Sequence, residues 1–313
     1  MPALLAAPAA GATPLWLTNA RLLDGTGAAP RDGASVLVRD GRVEAIGGAG
    51  EQPPPDASTV DLEGRTLMPG LIDAHAHVLA KLPAPAEGTE PLLPGTAAHA
   101  EGLAGTEIAI EEGIDTIEHG MYLNQRPDLL GRMAAAGQVL VPTFSCFYGV
   151  AGLGESIAVD GDGPRTNGGR PPAPTWSPLL VELAEYNLEQ AGLTLRAARA
   201  AGVPIACGHD WSPLWNGAIE ILRMIHHGLT AQEALIAATA TAASALGLGD
   251  QVGTVEPGRL ADLLVLDGDP FADPVVLRDR DRIWMVLQLG EPVAGTALEA
   301  DPRDTRTAAH SAR

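Results

Sequence analysis

Four of the eight histidines in this 313-residue chain stand where a short apolar segment ends. His75 and His77 form a His-x-His pair behind Leu71-Ile72-Asp73-Ala74, and two residues apart on an extended backbone both imidazoles project to one side and can chelate one ion. His99 follows Thr96-Ala97-Ala98, His119 follows Asp115-Thr116-Ile117-Glu118, and Asp210 closes Pro204-Ile205-Ala206-Cys207-Gly208-His209. In a parallel βα assembly the carboxyl ends of the strands converge on one face, where active sites are built. A single strand-end histidine is more often a hydrogen-bonded structural residue. Four of them with a carboxylate make a donor set suited to zinc, with manganese or cobalt as alternatives. Such an ion lowers the pKa of a bound water towards 7. Asp210 is then placed to accept the water proton and pass it to a leaving group, and His119 to polarise a carbonyl.

The other histidines have plainer expected roles. His209 alternates to the opposite side of its strand from Asp210. His226 and His227 end the amphipathic stretch Ala218–His227 before Gly228, where a helix carboxyl terminus favours positive charge. His310 lies in a polar tail.

The elements that must position these residues can be read from period and punctuation. The candidate strands Leu71–Ala74, Thr96–Ala98, Thr116–Glu118, Val139–Val141 and Pro204–Cys207 alternate with helical stretches over residues 70–251, a parallel α/β pattern. Thr230-Ala231-Gln232-Glu233 predicts a capping box opening a helix that runs to about Leu246, with Gly247 as its stop. The Gly- and Pro-rich segment 149–178 predicts a long loop. Residues 1–69 and 252–313 instead read as short β segments, including a hairpin at Asp40-Gly41, and are expected to share one composite β domain.

Composition narrows the function classes. The formal charge of −19 argues against a nucleic-acid partner. Two cysteines, Cys146 and Cys207, are too few for a disulfide scaffold. The first 14 residues make a poor signal peptide, and no apolar run approaches the roughly 18 residues of a membrane span. A cytoplasmic protein without a membrane partner, acting on a small-molecule substrate, is expected.

Met68-Pro69-Gly70-Leu71-Ile72-Asp73-Ala74-His75-Ala76-His77, Ala97-Ala98-His99, Asp115-Thr116-Ile117-Glu118-His119-Gly120, Asp210 and Gly253-Thr254-Val255-Glu256-Pro257-Gly258-Arg259-Leu260-Ala261-Asp262-Leu263 together resemble the amidohydrolase superfamily. The likeness is to its imidazolonepropionase-like and aminoacyl-proline dipeptidase-like branch. It implies a metal-bearing (β/α)₈ barrel flanked by a β-sandwich from both chain ends. It also implies one ion on His75, His77 and Asp210, a second on His99 and His119, and a carboxylated lysine bridging them.

The departure from that pattern is large. His77 and His99 are only 22 positions apart, and residues 79–94 are too short for three βα units of roughly 30 residues each. The expected fold is therefore an incomplete TIM-like (β/α) barrel lacking about three βα units, plus a small β-sandwich formed by both chain ends. The bridging lysine belongs to the missing part, and the chain's sole lysine, Lys81, or an unexpected carboxylate would have to replace it. One or two divalent ions are thus expected, a mononuclear site using His75, His77, His99 and Asp210. Tyr122, Tyr148 and Trp211, with Trp215 and Arg170, are candidate substrate contacts by proximity. The expected activity is hydrolysis of dipeptide-like amide or ester-type bonds. The alternatives are a mononuclear ring deaminase or cyclic-amide hydrolase, and a metal-binding remnant without activity. Open barrel edges predict a homo-oligomer.

Overall fold

The computed structural model describes residues 13–75, 97–153, 177–210 and 217–299. In chain order the elements are strands β1 (Leu15–Leu22), β2 (Arg31–Arg39), β3 (Arg42–Gly47), β4 (Ser58–Asp61), β5 (Thr66–Pro69) and β6 (Ala97–His99). Then come α1 (Leu103–Glu111), β7 (Thr116–Glu118), α2 (Pro127–Ala136), β8 (Val139–Val141), α3 (Phe144–Val150), α4 (Pro178–Ala201), α5 (Gly217–His226), α6 (Ala231–Ile236) and α7 (Ala242–Ala245). Strands β9 (Leu263–Leu266), β10 (Ile283–Gln288) and β11 (Glu291–Ala294) follow. The architecture is mixed α/β, and the chain divides into two compact units, Ile72–Gly249 and Pro2–Leu71 with Asp250–Arg313.

In the unit made from both chain ends, the described strands form one hydrogen-bonded sheet in the order β11-β10-β9-β5-β1-β2-β3, with β4 also on β1. The hairpin between β2 and β3 turns at Asp40 and Gly41, both at positive φ, as a two-residue turn matched to strand twist demands. Leu17, Val36, Val43, Leu67, Val265 and Leu287 belong to one buried cluster, so strands from both ends serve a single core.

In the 72–249 unit, β6, β7 and β8 run parallel in that order. The row continues through a parallel bridge from Leu140 to Ile205, and from there Ala74 donates its N–H to Cys207 O. Helix α6 opens on the predicted capping box, Thr230 Oγ1 accepting from Glu233 N while Glu233 Oε2 accepts from Thr230 N. After α6 the helix widens into a π turn over Ala237–Thr241. Such turns loosen the regular i→i−4 ladder. Here Ala237 O accepts from Cys207 N and Ala238 O from Ile72 N, so this turn ties the segments carrying His75 and Asp210 to one helix.

Several features differ from the sequence expectation. Leu71–Ala74 and Pro204–Cys207 form no regular strand and join the row only through an isolated bridge at Ile205 and the Ala74 N to Cys207 O bond. Within the segment expected to be a loop, residues 149–153 are described: Gly149 and Val150 complete the largely buried helix α3, and Ser177 caps α4 through Leu180 N. The rest of that segment, with His77, Lys81, Arg170, Trp211, Trp215 and His310, lies outside the described residues. His227 is not a helix-end cation. It is buried, stacks on Phe144 at 4.3 Å and meets the Tyr148 hydroxyl through Nε2 at 3.1 Å, and burial pulls its pKa down to about 3.

Candidate active site

His75, His99, His119 and Asp210 converge. The His99 and His119 rings lie 5.0 Å apart and the His75 and His99 rings 5.1 Å apart. His99 Nδ1 is 2.9 Å from His119 Nε2, and Asp210 stands between its neighbours with Oδ1 3.6 Å from His75 Nε2 and Oδ2 3.8 Å from His119 Nε2.

The backbone brings these groups together through hydrogen bonds at the strand ends. His119 N donates to Val141 O, Ala100 N to Glu118 O, and Met121 N to Ala100 O. Asp73 Oδ1 accepts from both His75 N and His209 N, fixing the segments on either side of the Ala74–Cys207 bond. His119 and Thr143 both hold positive φ, 65° and 48°. That is a strained state for any non-glycine residue and an outlier for a β-branched one. The strained pair is joined side chain to side chain, His119 Nδ1 meeting Thr143 Oγ1, which leaves Nε2 directed at His99 and Asp210.

Glu118 was legible only as part of a strand. It is buried, and its Oε2 sits 2.7 Å from His75 Nδ1. A carboxylate on the far nitrogen of an imidazole fixes tautomer and ring orientation and raises basicity at the other nitrogen, as around metal-bound histidines. Burial pulls the His75 pKa down, but the Asp210 and Glu118 carboxylates outweigh it and push it up to about 10. His75 Nε2, His119 Nε2 and the Asp210 carboxylate face a common space. The donor set of three imidazoles and a carboxylate therefore fits a divalent ion.

Gly208 makes room for His75. A Cβ at position 208 would lie 2.5 Å from His75 Cβ and 3.1 Å from His75 N. Gly208→Ala is expected to cost about 1–3 kcal/mol of stability through overpacking. It should also weaken ion retention, because His75 must move. Urea unfolding and metal content of the variant check both; an unchanged pair of values contradicts the close approach.

Beneath the site lies a buried network that the sequence did not suggest. Glu220 accepts from Phe144 N at 2.6 Å, Ser145 N at 3.0 Å and Ser145 Oγ at 2.5 Å, so a carboxylate on α5 caps the start of α3. Arg223, one turn on, donates to Ser145 Oγ at 2.8 Å and lies 4.1 Å over the Tyr148 ring. Burial pushes Glu220 up to about 7 against the opposing pull of Arg223 and the donors. This network sets the start of α3, and with it Thr143 and Cys146. The Cys146 thiol donates to Thr143 O and lies 4.0 Å from His119 Nδ1.

The structure places the two described candidate substrate contacts differently. Tyr148 has no exposed surface and is occupied by His227 and Arg223, so it is a packing residue rather than a pocket wall. Tyr122 is at positive φ and donates to Asn187 Oδ1 at 2.7 Å, bracing the segment after His119 against α4. His209 is buried, and its Nδ1 has no hydrogen-bond partner among the described residues.

The family model for the amidohydrolase family matches residues 95–293, more than half of the chain. The chain belongs to the amidohydrolase family. Among individual relatives, it is 36% identical over 98 residues to an imidazolonepropionase of Thermoplasma volcanium, covering 30% of this chain and 24% of that one. It is 43% identical over 100 residues to an imidazolonepropionase of Pyrobaculum arsenaticum, covering 30% and 25%. The matches thus span about a quarter of the length of these relatives.

Similar solved structures of amidohydrolase type include a Xaa-Pro dipeptidase with bound methionine in the active site, at TM-score 0.69 and 18% identity over 90% of this chain and 100% of that one. Another is the A. niger ochratoxinase, at TM-score 0.70 and 16% identity over 91% and 96%. At these identities the likeness speaks for the fold. Among the described residues, no helix is long and apolar enough to cross a membrane.

Proposed function

We propose that this amidohydrolase is a metal-dependent hydrolase of amide or ester-type bonds in small molecules, with zinc as its ion. The convergence of His75, His99, His119 and Asp210, with Glu118 behind His75, carries this reading. His77 is proposed to join them. The 72–249 unit is read as an incomplete (β/α) barrel in which the row from β6 to the His75 segment survives and about three βα units are absent. The other unit is read as a small sandwich from both chain ends.

A divalent ion held here would supply an activated water and polarise the scissile carbonyl. The chain's own groups do the rest. Glu118 holds His75 with Nε2 towards Asp210. Thr143 holds His119 with Nε2 towards the same carboxylate. Asp210 takes a proton from the attacking water and returns it to the departing nitrogen or oxygen, a two-step role suited to a carboxylate reaching both histidines.

The test is hydrolysis by chelated and zinc-reloaded protein of a panel of N-acyl-prolines, dipeptides, aryl esters, lactones and imidazolonepropionate. Zinc-dependent turnover on at least one open amide or ester is expected. Turnover confined to the cyclic amide would replace the substrate class while keeping the site, and no zinc-dependent turnover on any member would overturn the reading.

A further inference from the structure

We propose that Glu101 is the anionic ligand of a second divalent ion, held together with His99 and His119. The inference rests on the metal-dependent reading above and adds a residue to it.

The ligand atoms of His99, Glu101 and His119 all lie within 4.8 Å of one another. The two imidazole nitrogens face each other at 2.9 Å. Between His99 and Glu101, Ala100 is buried and pinned by backbone bonds to Glu118 O and from Met121 N. Residues two apart on such a segment present their side chains to one side.

Charge makes the same point. Two neutral imidazoles bring no negative charge to a divalent cation. Asp210 reaches towards His75 Nε2 at 3.6 Å and His119 Nε2 at 3.8 Å. Glu101 is a carboxylate within 4.8 Å of the ligand atoms of both His99 and His119, and so can bring that charge. Two of the acidic residues on α1 are already paired, Glu107 with Arg126 and Glu111 with Arg132. Glu101 makes no hydrogen bond or ion pair among the described residues.

Nitrogen and carboxylate donors suit zinc, manganese or cobalt. His99 and Glu101 are exposed, whereas His75 is largely buried, so this second ion should exchange faster than one held at His75.

Manganese(II) titration of the metal-free protein, followed by the paramagnetic resonance signal of unbound Mn(II), tests the assignment without recourse to activity. The wild type is expected to show two classes of site. Glu101→Gln should weaken the looser class by about tenfold or more, leaving the tighter class and the circular dichroism spectrum unchanged. Glu101→Asp should recover part of the loss. Two classes untouched by Glu101→Gln, or a single class untouched by it, would overturn the assignment while leaving the hydrolase reading intact. Absence of any Mn(II) or Zn(II) binding would overturn both.

Discussion

Asp210→Asn is expected to lower kcat by about 10²–10⁴ while leaving most of the bound metal in place. The argument is geometric. The Asp210 carboxylate stands 3.6 Å from His75 Nε2 and 3.8 Å from His119 Nε2, so it faces the space where the ion, water and substrate must meet. An amide keeps the shape and one coordinating oxygen but cannot shuttle a proton. The three imidazoles remain, and Glu118 still orients His75. Steady-state rates and elemental analysis of the same preparation separate the roles. A large fall in turnover with metal retained supports proton transfer by Asp210. Unchanged turnover refutes it, and parallel loss of metal and turnover makes the residue a ligand alone.

The second large effect concerns stability. Arg223→Met should cost about 3–5 kcal/mol, because it removes the cation that offsets a fully buried Glu220. Glu220 already titrates at about 7 with Arg223 present, against an ordinary value of 4.5. Without Arg223 its folded-state pKa rises further, whereas the unfolded chain keeps the ordinary value. The folded state then binds more protons than the unfolded state above pH 4.5, so stability falls as pH rises through that window. Urea unfolding should show a larger deficit for the variant at pH 8 than at pH 5. The double variant Arg223→Met, Glu220→Gln should recover much of the loss, since replacing both partners is far milder than orphaning one. An equal deficit at both pH values, or no recovery, contradicts the network as described.

The site and the network differ in how far the sequence exposed them, for a physical reason. β7 and β8 were legible to the residue because each is a short apolar run bounded by turn chemistry, Gly113 ahead of one and Gly137 ahead of the other, and the histidines follow from position at strand ends. The hairpin at Asp40-Gly41 and the capping box at Thr230 are local devices, complete within four residues, and local devices can be read in one dimension.

Glu118 and Thr143 could not be assigned this way. Each acts on a histidine 43 or 24 residues distant, and only the stacking of parallel strands brings them within hydrogen-bond reach. Glu220 and Arg223 lie on one face of an amphipathic helix, where charges at i and i+3 read as a solvated stripe. Their burial is decided by α3, which packs against α5 and supplies two backbone donors. Tyr148 followed the same logic in reverse: an aromatic near a strand-end loop reads as a pocket wall, yet helix α3 turns it inward onto Arg223 and His227.

The central claim is that the strand-end histidines and Asp210 form a resident metal site. Elemental analysis of protein stripped with chelator, reloaded with zinc and passed through gel filtration tests it most directly. At least one tightly retained zinc per chain, lost in a His75→Ala, His119→Ala double variant that still folds, is the expected result. Reloaded wild-type protein carrying no zinc, or zinc retained equally by the double variant, would contradict the account.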